Sequence, residues 1–200
     1  MPPQVSTVVK VAEADFPTRF GHFRICGFRS GEEEAIAIVM GDLAAPAPPL
    51  VRIHSQCITG DVFHSLRCDC RAQLELALAM IAAEGRGMVI YENKEGRGIG
   101  LVNKIRAYEL QDQGADTVEA NERLGFDADL RDYELPAGVL KRLGVPAVRL
   151  LSNNPEKIEA LERAGVRVTE RVPCQPESEE ASARYLATKK EKLGHLLEGF

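Results

Sequence analysis

The stretch from residue 147 to 172, AVRLLSNNPEKIEALERAGVRVTERV, constrains the fold most tightly. AVRLLSN is a short run of strand-forming residues. Asn154 then suits a helix N-cap, and Pro155 fits the first helical turn, where a backbone N–H has no partner to lose. EKIEALERAG carries the helix to a terminating Gly165, and VRVTERV reads as a second strand. Strand, helix and strand with short joints make a crossover unit, which implies some parallel pairing in the sheet.

The first 56 residues read mostly as strands. HFRICGFRS, EAIAIVMGD and PLVRIHS are β-rich runs broken by Gly, Pro and charge clusters, with APAPP at 45–49 as a turn or short extended linker. From residue 72 the period changes. AQLELALAMIAAEG places Leu74, Leu76, Ala77, Leu78 and Ile81 at helical spacings, with Gly85 as the stop. MVIYE, 88–92, predicts a short buried strand. IGLVNKIRAYELQDQG predicts a helix built on Leu101, Val102, Ile105 and Leu110 and closed by Gly114, and Thr117 is the expected cap of a short helix over 120–124. Residues 174–182, CQPESEEAS, are polar and expected to be mobile, and ARYLATKKEKLGHLL predicts a C-terminal helix. The sum is one α/β domain over residues 1–200, strand-rich in its N-terminal part and alternating later.

Composition excludes several functions. No run of about 18 apolar residues is present to span a membrane. The N-terminus lacks the basic and apolar regions of a signal peptide, so a cytoplasmic, thiol-reducing location is expected. Five cysteines, an odd number, argue against a disulfide framework. A net charge of −5 disfavours nucleic acid as a partner but leaves room for a small anion in a local basic pocket.

Three of those cysteines, Cys57, Cys68 and Cys70, fall in CITGDVFHSLRCDC. Thiolates at this density suit Zn²⁺. Three protein ligands would leave one position for a water, whose pKa zinc lowers to about 7. Spacing leaves two other readings open: a closed structural site completed by His64 or a distant residue, and three buried cysteines with no metal. ENKEGRGIG, 92–100, is a glycine-rich loop running into a helix. Gly96, Gly98 and Gly100 allow close backbone approach, and a helix N-terminus favours anions. Arg52, Arg67, Arg97 and Arg131 are candidates for phosphate contact, although single arginines are mostly surface residues. In DADLRDY, 127–133, Arg131 sits among carboxylates, a pattern that by itself reads as an ion pair.

Taken together these residues resemble GTP cyclohydrolase II, the enzyme that opens the guanine ring of GTP at the start of riboflavin synthesis. The resemblance is carried by VRIHSQCITGDVFHSLRCDC, QLELAL, EGRGIGLVNKIRAYELQDQGADTVEAN, LGFDADLRDY, LLSNNPEK and YLATKKEKLGHLL. It implies a three-layer α/β/α fold with a mixed sheet, usually homodimeric, and a catalytic zinc on Cys57, Cys68 and Cys70, with Mg²⁺ accompanying the triphosphate. It implies contacts to GTP from Arg52, Ile53, His54, Ser55 and Gln56, from Gln73, from Glu95, Gly96 and Arg97, and from Thr117, Ser152 and Lys157. Asp129 matches the family's proton acceptor, Arg131 its nucleophile, and Tyr108 a tyrosine linked to the later ring chemistry. The implied products are 2,5-diamino-6-ribosylamino-4(3H)-pyrimidinone 5′-phosphate, formate and pyrophosphate.

Some positions depart from the family pattern. Gln56 stands where Glu is usual, Arg71 where Gly is common, Asn93-Lys94 for Arg-Gln, and Ser152 for Thr. A divergent paralogue that feeds a secondary pathway, or that stops at the formylated intermediate, is the alternative reading. A zinc-stapled binding module and a cysteine-nucleophile hydrolase are two others.

Overall fold

The computed structural model describes residues 7–127, 129–176 and 183–197. Seven strands form one sheet in the order β1-β2-β3-β5-β4-β6-β7. They are β1 (Val9–Thr18), β2 (Gly21–Ser30), β3 (Glu33–Met40), β4 (Leu50–Ser55), β5 (Gly87–Glu92), β6 (Ala147–Leu151) and β7 (Arg167–Val172). The sheet is mixed. β1, β2, β3 and β5 pair antiparallel, whereas β5, β4, β6 and β7 pair parallel. Among the described residues seven α-helices accompany it: α1 (Ile58–Asp61), α2 (Cys70–Glu84), α3 (Leu101–Asp112), α4 (Thr117–Arg123), α5 (Glu134–Arg142), α6 (Pro155–Arg163) and α7 (Ala183–Leu193).

Strand alternation divides the apolar residues between two faces. On one, Val51, Ile53, Met88, Ile90, Val148 and Leu150 pack against Leu135, Val139 and Leu140 of α5 and Leu161 of α6. On the other, Phe23, Ile38, Leu50, Val89 and Leu151 pack against Ala77, Leu78 and Ile81 of α2. The result is the helix–sheet–helix layering and mixed sheet that the resemblance implied. The crossover β6-α6-β7 is present, with the Asn154 side chain accepting from the Glu156 N–H at 3.0 Å and Pro155 in the first turn.

Several local expectations need correction. β1, absent from the sequence reading, pairs with β2 at the sheet edge; Val9 and Val11 lie 52% and 62% exposed there, so no burial pattern announced it. α5 was likewise unread. The helix over 101–112 turns Val102 and Ile105 to solvent, 67% and 53% exposed, and buries Ala107. α4 is capped by Asp116, not Thr117. The Asp116 carboxylate accepts from Val118 and Glu119 N–H, and the Glu119 side chain returns to the Asp116 N–H, a reciprocal box that a one-residue shift would break. The start of the supposedly mobile 174–182 segment is anchored: Cys174 is fully buried, and its N–H and carbonyl bond the Asn153 side chain at 3.0 and 2.8 Å. Residues 177–182 lie outside the described residues. The C-terminal helix stops at Leu193, before the left-handed Gly194.

Candidate active site

Parallel α/β sheets bind ligands at the carboxyl ends of their strands. Here β4, β5 and β6 end around a cleft of about 1080 Å³, open to solvent. The segment after β4 brings Gln56 and Cys57. The one after β5 brings Lys94 to Arg97, and the one after β6 brings Ser152 to Asn154. α2 adds Gln73, α3 adds Lys104, Tyr108 and Gln111, and α4 adds Thr117 and Asn121.

The three cysteine sulfurs converge. The Sγ atoms of Cys57, Cys68 and Cys70 lie within 4.8 Å of one another, and those of Cys57 and Cys68 are 3.6 Å apart. A tetrahedral metal at about 2.3 Å from each sulfur sets its ligands roughly 3.8 Å apart, so the donor set fits zinc. His64 is no fourth member: it is exposed, and among the described residues the cluster comprises the three thiols. Cys57 is the charged member. Hydrogen bonds from Cys68 and Cys70, and then the Lys104 ammonium at 3.0 Å, drive its thiol far down. The Cys68 thiol, bonded to that thiolate, is pushed up to about 11, and Cys70 is raised well above the ordinary thiol range by the Cys57 and Cys68 sulfurs and by burial. A metal entering the cluster therefore displaces thiol protons.

Gly60 leaves room for this arrangement. A Cβ there would stand 2.9 Å from Cys68 Sγ and 3.2 Å from Cys57 Sγ. Gly60→Ala is expected to push the sulfurs apart and weaken metal affinity by about 10- to 100-fold, the range for disturbing a ligand's support. Competition titration against a chelating dye checks it; unchanged affinity would mean that the loop yields freely.

Asp61 ties the metal loop to the sheet. Its carboxylate accepts from the Cys57 N–H at 3.1 Å, from the Tyr91 hydroxyl at 2.9 Å and from His54 Nε2 at 3.2 Å. His54 stacks on Tyr91, with ring centroids 5.4 Å apart. Burial pushes the His54 imidazole down despite Asp61, so it is neutral at physiological pH and its Nε2–H donates. Glu95 makes the second tie. It accepts from the Ile58 N–H at 2.7 Å and from Lys104 at 2.7 Å.

Across the cleft lies a cationic floor. Arg52, 6% exposed, donates to the Leu151 carbonyl at 3.0 Å and to the Gln73 side chain, which in turn donates to Asp69. Lys157 is buried and donates to the Ile53 carbonyl at 2.8 Å. Burial, then Arg52 and Arg131, pull the Lys157 ammonium well below its ordinary range, a cost that a bound phosphate would relieve. Arg131 Nε and Nη2 both donate to Asp129, and Nη1 donates to Ser55 Oγ at 3.2 Å. Burial works against the Asp129 carboxylate, but Arg131 holds it below the ordinary range.

The glycine-rich turn completes the rim. Gly96 and Arg97 both adopt left-handed backbone, at φ 60° and 61°. A non-glycine residue held there stores strain, as functional turns often do. The Arg97 carbonyl accepts the Leu130 N–H at 3.1 Å, which fixes the turn to the segment bearing Asp129 and Arg131.

The cleft thus gathers nearly every residue singled out in the sequence. Ile53 and Asp129 do not line it. Ile53 is a core side chain that offers its carbonyl to Lys157, and Asp129 stands behind Arg131. Lys104, Asn121, Asn153, Asn154 and His195 line the cleft and were not foreseen. Two of them stand one helical turn from residues already singled out: Lys104 before Tyr108 on α3, and Asn121 after Thr117 on α4.

Residues 9–173 match the family model for GTP cyclohydrolase II. The chain belongs to the GTP cyclohydrolase II family. It is 56% identical to GTP cyclohydrolase-2 of Azotobacter vinelandii, over 96% of this chain and 93% of that protein. It is 58% identical to GTP cyclohydrolase-2 of Pseudomonas paraeruginosa, over 96% and 94%. It also matches riboflavin biosynthesis protein RibBA of Bacillus mycoides at 54% identity, over 95% of this chain and 48% of that longer protein. This member of the GTP cyclohydrolase II family is accordingly an enzyme of riboflavin biosynthesis. Among the described residues no helix is long and apolar enough to cross a membrane.

Proposed function

We propose that this chain opens the imidazole ring of GTP and releases formate and pyrophosphate, leaving 2,5-diamino-6-ribosylamino-4(3H)-pyrimidinone 5′-phosphate. The observation that carries the reading is one cleft holding three convergent thiols on one wall and, on the other, a floor of buried Arg52 and Lys157 with half-buried Arg131. Zinc on Cys57, Cys68 and Cys70 would supply a Lewis acid that brings the pKa of a water near 7, and Mg²⁺ arriving with the triphosphate would neutralise the departing pyrophosphate.

The protein's own groups do the rest. Arg52, Lys157 and Arg97 take phosphate charge, while Gln73, oriented by Asp69, is fixed before the substrate arrives. Arg131 acts at the α-phosphorus: a guanidinium nitrogen forms the bond to phosphorus as the bond to pyrophosphate breaks. Asp129 Oδ2, already accepting from Nη2, receives the proton, and returns it to the nitrogen when water later adds its oxygen to phosphorus and the N–P bond breaks, which frees the monophosphate. Full transfer before attack would cost about 11 kcal/mol or more, from ordinary pKa values some 8 units apart. A turnover near 10 s⁻¹ allows a barrier of only about 16 kcal/mol in all. Proton transfer concerted with bond formation avoids most of that cost. The homodimer implied by the resemblance belongs to the same reading.

Tyr108 stands over the thiol wall, its hydroxyl 3.3 Å from Thr59 Oγ1, while Thr59 Oγ1 is 3.5 Å from Cys57 Sγ. Burial raises its hydroxyl, so it stays protonated and donates to the formamide formed when the ring opens. Tyr108→Phe is expected to release pyrophosphate normally and to accumulate formylated pyrimidine, detected by mass. Normal formate release by this variant would remove Tyr108 from the second hydration. Accumulation of the formylated compound by the unmodified protein would favour the divergent paralogue.

A further inference from the structure

β4 and β5 stand side by side in register, Val51 with Met88, Ile53 with Ile90, and Ser55 with Glu92. The first two pairs are fully buried apolar layers of the face that packs on α5 and α6. The third pair occupies the next slot of that face, and Glu92 there is 0% exposed. Stability gives no reason for a carboxyl in this slot. Desolvating it is costly, and an apolar side chain of similar volume would continue the core. One oxygen, Oε2, has no partner among the described residues; the other accepts the Ser55 hydroxyl at 2.8 Å.

The Ser55 hydroxyl has one proton and two lone pairs. With its proton given to Glu92, it presents only lone pairs to Arg131, whose Nη1 donates to it at 3.2 Å. Asp129 holds the other two guanidinium nitrogens, so all three are anchored. An apolar side chain at 92 would leave the hydroxyl proton without its buried acceptor, so the hydroxyl would no longer be held in the rotamer that keeps its lone pairs on Arg131. Burial pushes the Glu92 carboxyl up, while Lys157, the Ser55 hydroxyl, Arg131 and Lys94 pull it back toward ionisation.

We propose that Glu92 is a positioning residue for Arg131, acting through the Ser55 hydroxyl to aim the guanidinium at the reacting phosphate. The proposal rests on the role given to Arg131 above. It assigns a task to a residue buried below the cleft, which touches no substrate.

The test compares the unmodified protein with Glu92→Leu and Glu92→Gln; the amide keeps the acceptor and drops the charge. Zinc content and circular dichroism establish that each is folded and loaded. Glu92→Leu is expected to lose about 100-fold in kcat for pyrophosphate release with KM nearly unchanged, the scale of a misplaced catalytic group. Glu92→Gln recovers to within about tenfold of the unmodified protein, the cost of one ordinary hydrogen bond. In parallel, ¹⁵N spectra of the arginine side chains, with Arg131 assigned from Arg131→Lys, should show resolved Nη signals that merge in Glu92→Leu. Near-normal kcat in Glu92→Leu overturns the proposal, as does a rise in KM alone or equal losses in the two variants. Should Glu92→Leu fail to fold, Ser55→Ala, which removes the relay and leaves Glu92, must show the same kcat loss and merged signals. If the unmodified protein releases no pyrophosphate from GTP, the proposed function fails; the ¹⁵N spectra still decide whether Glu92 holds Arg131.

Discussion

Replacing Cys68 with serine should cut formate release below about 1% of the unmodified protein, a larger loss than the 10–100-fold typical of removing a ligand's outer partner. Cys68 Sγ lies 3.6 Å from Cys57 Sγ and belongs to a donor set with no His64 to replace it. A serine oxygen is a harder and poorer donor for zinc than a thiolate. The phosphate chemistry should survive in part, because it resides elsewhere. Arg52, Arg131 and Lys157 are placed by Leu151, Gln73, Asp129, Ser55 and Ile53, none of which belongs to the thiol cluster. The expected result is some conversion of GTP to GMP and pyrophosphate without formate. GMP, pyrophosphate and formate are measured together, with circular dichroism as the folding control. A folded, zinc-free variant releasing formate at the normal rate would refute the metal role and favour a cysteine nucleophile. A folded variant that makes neither product would show that the metal also organises the phosphate floor.

Arg131 carries the second large effect. Arg131→Ala should lower both pyrophosphate and formate release by about 10³-fold or more, the scale of losing an arginine that acts on a transferring phosphoryl group. Arg131→Lys keeps the charge and should still lose about 100-fold. One ammonium cannot replace three planar nitrogens, two held by Asp129 and one by Ser55. Loss of both products in Arg131→Ala, against loss of formate alone in Cys68→Ser, would place the phosphate step first. Near-normal turnover by Arg131→Lys would reduce Arg131 to a replaceable counter-ion.

The crossover at 147–172 and the thiol spacing were legible because each depends on local chemistry: a cap, a proline, and three soft donors close in sequence. The inward face of α3 was not. Sequence periodicity selected Val102 and Ile105 as core, yet both face solvent. The helix instead turns Lys104, Tyr108 and Gln111 into the cleft, and such a face is polar because it meets a ligand and not a core. Asp61 and Glu92 were hidden for a related reason. In the sequence Asp61 is one acid in a loop and Glu92 the last residue of an apolar strand. Only the assembled sheet shows that one gathers Cys57, His54 and Tyr91 and the other backs Ser55. The departures at Gln56 and Lys94 also gain context. Gln56 lines the cleft, and Lys94 bonds Glu33 and Asp132, tying β3 to the segment that carries Arg131.

Incubation of the purified protein with GTP, Zn²⁺ and Mg²⁺, with every product identified by mass, tests the central claim most directly. The account predicts formate and pyrophosphate in equal amounts, together with the diaminopyrimidine ribosyl monophosphate, and no formate once zinc is chelated. Intact GTP, or hydrolysis to GDP and phosphate with the purine ring unopened, would contradict it.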